Sequence, residues 1–135
     1  MIDQQPMDEK QVQELIQLEA SRFGGKLWIN SSGAFKDTTG RLVRFGLGHV
    51  KKNQEFKSSD LIGFMPVTIT PDMVGKTLPV FTAIECKKPD WKFTNTLREV
   101  GQKVFIDVIT KNNGIASFVN SVERFAETVK SYIPR

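Results

Sequence analysis

The stretch from Ser58 to Trp91, SSDLIGFMPVTITPDMVGKTLPVFTAIECKKPDW, carries the reading on which the fold depends. Near its end the apolar run Val80-Phe81-Thr82-Ala83-Ile84 passes directly into Glu85-Cys86-Lys87-Lys88. Thr77 to Lys87 reads as the clearest strand of the chain, ended by Pro89-Asp90. Charges at the end of a buried strand are costly unless paired, hydrated or bound to a metal. Side chains two apart on a strand share a face. Glu85 and Lys87 are therefore expected together on a polar or wet side, with Ile84 and Cys86 turned into the core. Asp60 to Ile69 reads as the preceding strand, interrupted by Pro66, and Thr70 to Lys76 as a turn. Antiparallel pairing through that turn would return Asp60 to a place beside Glu85.

Two carboxylates and a lysine would then converge. Carboxylates with water suit Mg²⁺, which prefers hard oxygen ligands. A metal there polarises a phosphate and acidifies a bound water, while the lysine stabilises developing negative charge or orients that water. That chemistry is phosphodiester hydrolysis. The spacing alone selects nothing, since acidic-x-Lys also occurs at Asp8-x-Lys10, Glu55-x-Lys57 and Asp90-x-Lys92. Context singles out Glu85: a long apolar strand, an aspartate before it and a glutamine-bearing helix after it. The competing reading is a strand end whose charges splay into solvent.

Outward from this stretch, strands alternate with helices. Asp8 to Phe23 reads as a helix, with Val12, Leu15, Ile16 and Phe23 at helical spacing and Asp8 and Glu9 in its first turn. Lys26 to Asn30 is a short strand. Ala34 to Lys36 and Leu42 to Phe45 flank a hairpin turn at Asp37-Thr38-Thr39-Gly40. Gly46 to Ser59 reads as a surface loop. Thr96 with Glu99 matches a capping box, opening a helix that runs to about Lys111 and stops at Asn112-Asn113-Gly114. Ile115 to Val119 is a strand. Ser121 caps a last helix carrying Val122, Phe125, Ala126, Val129 and Ile133 on one side. The pattern implies an α/β fold with a mixed central β-sheet flanked by α-helices, and 135 residues suit a single domain over 1–135.

Composition narrows the function classes. No apolar stretch approaches the roughly 20 residues that cross a membrane, and the polar, acidic start Met1-Ile2-Asp3-Gln4-Gln5 is unlike a signal peptide. One cysteine and one histidine argue against a Cys/His zinc site and fit a reducing, cytoplasmic setting. The net charge of +4 permits an anionic partner without demanding one.

The order Asp60, Glu85-x-Lys87 and Gln102 resembles the PD-(D/E)XK nuclease superfamily, and more narrowly the VRR-NUC nucleases in their small stand-alone bacteriophage form. The matching stretches are Glu9 with Gln13, NSSGAF from Asn30, SSDLIG from Ser58 (with Ser59 in the place of the superfamily's proline), FTAIECK from Phe81, GQKVFIDVI from Gly101 and NGIASFVNSVE from Asn113. They cover most of the chain in the expected order. The departures are Ile29, where relatives suggest arginine, and a longer, more basic His49–Lys57 segment. The resemblance implies a restriction-endonuclease-like core and a divalent-metal-dependent endonuclease that hydrolyses DNA. By the same resemblance, the host cytoplasm is the setting if a phage encodes the chain. Asp60 and Glu85 would ligate Mg²⁺, with Mn²⁺ able to substitute. The backbone carbonyl of Cys86 would be a third protein ligand. Lys87 would face the scissile phosphate, Gln102 would support the site, and Glu9 would orient a water or help a second metal. Relatedness to junction-resolving nucleases suggests a homodimer acting on branched DNA such as Holliday junctions, because symmetric cutting needs two sites in fixed relation.

Lys51, Lys52 and Lys57 before Asp60, and Lys88 and Lys92 after the strand, are candidate DNA-phosphate contacts. A charge run is otherwise a solvated face. Trp91 would stack on a base or pack beneath its loop, with packing favoured. Cys86 reads as a core filler rather than a nucleophile, and His49 as a solvent or phosphate contact. Gly46-x-Gly48 lacks the context of a nucleotide-binding loop. The alternatives are a non-catalytic nucleic-acid-binding domain on a nuclease fold, a nicking or restriction-type endonuclease acting on duplex DNA, and a regulatory protein acting through a dimer surface.

Overall fold

A computed structural model describes residues 5–31, 33–47 and 59–135. The chain is mixed α/β, and it divides into two compact units, Met1–Thr68 and Ile69–Arg135. Among the described residues no helix is long and apolar enough to cross a membrane.

The first unit opens with helix α1, Glu9–Arg22. Its start is fixed by a reciprocal cap: the Asp8 carboxylate accepts from Gln11 N–H at 2.8 Å, and the Gln11 amide oxygen accepts from Asp8 N–H at 3.0 Å. Gly24, at φ +83°, lets the chain leave the helix in the left-handed conformation. The Gln17 side chain then donates to the Leu27 carbonyl at 3.0 Å, tying α1 to β1, Lys26–Ile29. Strands β2, Gly33–Lys36, and β3, Leu42–Phe45, form the expected hairpin. Its turn is organised by Asp37, whose carboxylate accepts from Thr39 N–H at 2.9 Å, the Thr39 hydroxyl at 2.6 Å and Arg41 N–H at 2.9 Å. These bonds hold the Asp37 carboxyl below its ordinary value, the Thr39 hydroxyl contributing most.

Strand β4 is Leu61–Phe64, shorter than the Asp60 to Ile69 span expected from sequence. It pairs antiparallel with β1, with Leu27 opposite Gly63 and Trp28 opposite Ile62. A Cβ on Gly63 would lie 1.8 Å from the Lys26 carbonyl oxygen, so only glycine fits this backbone approach. Trp28 meets Phe64 edge to face at 5.8 Å, the diagonal cross-strand contact that stabilises such a pair.

The second unit begins with a 3-10 turn at Pro71–Met73. Strand β5 covers Thr82–Cys86, so the expected Thr77–Lys87 strand starts late. Pro79 lies in the omitted part and has no N–H to give to a ladder. Helix α2, Leu97–Lys111, leads to β6, Ile115–Val119, which runs parallel to β5 with Glu85 opposite Phe118 and Cys86 opposite Val119. This is a β-α-β crossover. Asn113, at φ 65°, turns the chain between α2 and β6. Ile109 of α2 is 1% exposed and, with Ala116 and Val119, forms the buried centre of the unit. Helix α3, Val122–Lys130, follows a cap in which the Ser121 hydroxyl accepts from Arg124 N–H at 3.0 Å. Ile133 falls beyond the helix end.

Two expectations are corrected here. β4 takes its ladder from β1, and β5 takes its ladder from β6, in place of the hairpin expected through Thr70–Lys76. The described strands form three two-stranded sheets instead of one mixed central sheet. The reason for the first is local. Asn30 N–H donates to the Asp60 carbonyl at 2.8 Å and its side-chain amide donates to the Ser59 carbonyl at 2.8 Å, clamping the entry of β4 to the exit of β1.

Candidate active site

The second unit brings three of the expected residues together. Glu85 of β5 and Lys87, which follows the strand and extends its ladder by an N–H bond to the Val119 carbonyl, share one face as their spacing requires, and Gln102 reaches that face from α2. The Gln102 side-chain amide donates to Glu85 Oε1 at 2.7 Å, and its oxygen accepts from Lys87 Nζ at 2.8 Å. One neutral amide thus links a carboxylate and an ammonium, matching a donor to the anion and an acceptor to the cation. A glutamate at 102 would repel Glu85, and a lysine would repel Lys87. Lys87 Nζ also sits 5.4 Å from the ring centre of Trp91 and 5.5 Å from that of Phe118, an aromatic seat that attracts a cation. Glu85 and Lys87 are half-buried rather than splayed into water.

The position of Gln102 follows from the start of α2. The Glu99 carboxylate accepts from Thr94 N–H at 3.2 Å, the Thr94 hydroxyl at 3.0 Å, Thr96 N–H at 3.2 Å and the Thr96 hydroxyl at 2.7 Å. Glu99 N–H returns a bond to the Thr96 hydroxyl oxygen at 3.2 Å. Glu99 is only 5% exposed, and the Thr96 hydroxyl above all, helped by the Thr94 and Thr96 amides, lowers its carboxyl to about 2. This cluster fixes the β5–α2 connection and the first turn of α2, and Gln102 lies three residues further on.

A cavity of about 610 Å³ opens beside Glu85, lined also by Ala83, Arg98, Gly101 and Gln102. Arg98, one helical turn before Gln102, presents a cation to this cavity. Sequence reasoning missed it, although its i−4 relation to Gln102 was a usable signal. Phe118 was missed as well. Its place beside Lys87 comes from the β5–β6 register, which no local pattern announces.

Cys86 is exposed, so its reading as a core filler is corrected. Its face of β5, with Ile84 and Val119, looks onto α3, and Val122 and Phe125 line the cavity left between them. The Cys86 carbonyl is placed by the ladder. Ile115 N–H donates to Phe81 O at 2.9 Å and Lys87 N–H to Val119 O at 2.8 Å. Odd-numbered residues of β5 therefore bond to β6, and the carbonyl of Cys86 points to the opposite edge.

Glu9 is exposed in the first turn of α1, and Asp60 is exposed just before β4, both in the first unit. Lys88 and Lys92 are exposed on the segment after β5. Lys51, Lys52, Lys57 and His49 lie outside the described residues.

Among the described residues no three His, Cys, Asp or Glu side chains cluster as a metal cage. The donors at the end of β5 suit a different mode. Gln102 occupies Oε1 of Glu85, leaving Oε2 without a protein hydrogen bond among the described residues, and the Cys86 carbonyl adds a second hard oxygen. Mg²⁺ is commonly held by one or two carboxylates with waters and substrate oxygens, so this donor set fits it. No family model matches the sequence, and no curated protein or solved structure matches it significantly.

Proposed function

We propose that the chain is a divalent-metal-dependent endonuclease that hydrolyses DNA phosphodiester bonds, with Glu85, Lys87 and Gln102 at its centre on a restriction-endonuclease-like core. The observation that carries this reading is the Gln102 bridge, which holds a carboxylate and an ammonium on one strand face through a single neutral side chain. Glu85 and the Cys86 carbonyl would hold Mg²⁺ or Mn²⁺. When bound, the metal supplies Lewis acidity toward a phosphate oxygen and lowers the pKa of a water.

The chain's own residues do the rest. Lys87 places positive charge where negative charge develops on the phosphoryl oxygens, or orients the attacking water. Its bond to Gln102 and its aromatic seat limit the directions in which it can point, and such preorganisation is the largest common source of transition-state stabilisation. Arg98 adds attraction for the phosphate in the cavity beside Glu85. Lys88 and Lys92, with Lys51, Lys52 and Lys57, are proposed to contact backbone phosphates, which read shape and charge rather than sequence. A homodimer would present two such sites and favour branched DNA.

Cleavage of four-way, flap and linear DNA of matched sequence, with sedimentation of the free protein, tests this reading. A dimer that needs Mg²⁺ and prefers branched substrates is the expected result. A monomer that cuts linear duplex equally well removes the branch preference, and no cleavage of any substrate removes the nuclease.

A further inference from the structure

Lys87 lies close to a second cavity of the same unit, whose chemistry differs from that of the first. It has a volume of about 390 Å³ and is walled by Trp91, Phe93 and Phe118. Trp91 and Phe118 are 4.9 Å apart at 33°, and Phe93 stands 6.3 Å from Trp91 and 6.0 Å from Phe118. Three aromatic rings around an open cavity offer flat apolar faces. Lys103 and Arg124 stand at its rim. Their partners are Asp107 at 2.9 Å and Glu127 at 3.4 Å, both in exposed pairs, which contribute little and leave the cations available to another anion.

Odd-numbered residues of β6 bond to β5, so the main-chain groups of Phe118 point to the outer edge of β6. The Phe118 carbonyl accepts from the Ser117 hydroxyl at 2.9 Å. Flat apolar walls and two cations at the rim match one ligand class. The base stacks and the phosphate meets the cations.

We infer that the Trp91–Phe93–Phe118 cavity binds an unpaired nucleotide of single-stranded DNA next to the cleaved position. The inference rests on the nuclease reading for its place in the reaction, because Trp91 and Phe118 are the same rings on which Lys87 sits. A nucleotide stacked there occupies the neighbourhood of the lysine that faces the scissile phosphate. The pocket would then select substrates with an unpaired base beside the cut, since a base stacked within a duplex cannot enter it.

The test is fluorescence anisotropy of a dye-labelled oligo-dT in EDTA, where no metal-dependent cleavage occurs, beside a blunt duplex of equal length. The expected result is tighter binding of oligo-dT than of duplex. Trp91→Ala should weaken it by about tenfold, in line with the loss of one base–aromatic stack. Trp91→Phe should retain most of the affinity, and Arg124→Glu should weaken it with a shallower salt dependence. Circular dichroism identifies an unfolded variant, and Trp91→Phe with Arg124→Glu then decides the matter without Trp91→Ala. Oligo-dT affinity unchanged in Trp91→Ala and Arg124→Glu, or no preference over duplex, overturns the inference. Cleavage in Mg²⁺ is scored separately. A protein that binds oligo-dT through Trp91 yet cuts nothing keeps the pocket and loses the nuclease, and one that cuts without dependence on Trp91 does the reverse.

Discussion

Two carboxylates of the second unit, Glu99 and Glu85, meet helix α2 in opposite ways. Glu99 is 5% exposed and accepts from two amides and two hydroxyls, so its lone pairs are taken by the chain that it organises. Among the described residues Glu85 accepts from Gln102 through one oxygen only, and the cavity beside it is shared with Arg98. A saturated carboxylate holds structure and has nothing left to offer a ligand. A carboxylate oriented through one oxygen is available through the other. The same contrast separates ordinary ion pairs from Lys87: Lys103 meets Asp107 directly on the surface, whereas Lys87 is kept near an anion through a neutral amide.

If this contrast is right, substitutions at the two carboxylates affect different measurements. The largest effect is expected at the open site. Glu85→Ala and Lys87→Ala should each lower cleavage by at least about a hundredfold while circular dichroism and thermal unfolding stay near wild type. Glu85→Ala should also weaken Mn²⁺ binding measured by calorimetry, and Lys87→Ala should leave it unchanged or slightly stronger, because a nearby positive charge is gone.

The next effect is smaller. Gln102→Ala removes the bridge but neither charge, so cleavage should fall about tenfold, as for residues that orient the groups around a metal. Gln102→Glu should fall further, since a second carboxylate faces Glu85. Equal rates in wild type and Gln102→Ala would show that the bridge only packs α2 onto β5.

At the saturated end the effects should appear in stability. Thr96→Ala deletes the hydroxyl that caps α2 and should lower unfolding stability by about 1 kcal/mol, with cleavage by the folded protein preserved. Acid should act here too. The Glu99 carboxyl lies near 2 in the folded chain against an ordinary 4.5. In that interval the unfolded chain binds more protons, so stability rises with pH. The contribution is complete above about 4.5 and is lost as pH falls toward about 2. Unfolding of wild type beside Glu99→Gln across this range should show the dependence in wild type and a reduced one in the variant.

What the sequence disclosed follows the same division between local and distant causes. Two helix starts were legible because caps are written within a few residues: Thr96 with Glu99, and Ser121. At α1 the reciprocal Asp8–Gln11 cap was missed, and Asp8 was placed inside the first turn. The pairing of Glu85 with Lys87 was legible from a spacing of two, and the role of Gln102 came from the family resemblance. Strand partnership was not. β4 joins β1 across a long sequence gap through the Asn30 clamp and the bare backbone of Gly63, and neither contact leaves a periodic trace. Cys86 was assigned to the core on alternation alone, but its face of β5 is incompletely covered by α3. The aromatic seat of Lys87 stayed hidden because Phe118 comes to it through the parallel register.

The most direct measurement of the central claim is nicking of supercoiled plasmid by the wild-type protein in Mg²⁺, Mn²⁺, Ca²⁺ and EDTA, beside Lys87→Ala. Cleavage is predicted in Mg²⁺ and Mn²⁺. Little turnover is predicted in Ca²⁺, which takes more ligands at longer distances and acidifies water less, and none in EDTA or with Lys87→Ala. Nicking that persists in EDTA, or that survives the loss of Lys87, would contradict the account.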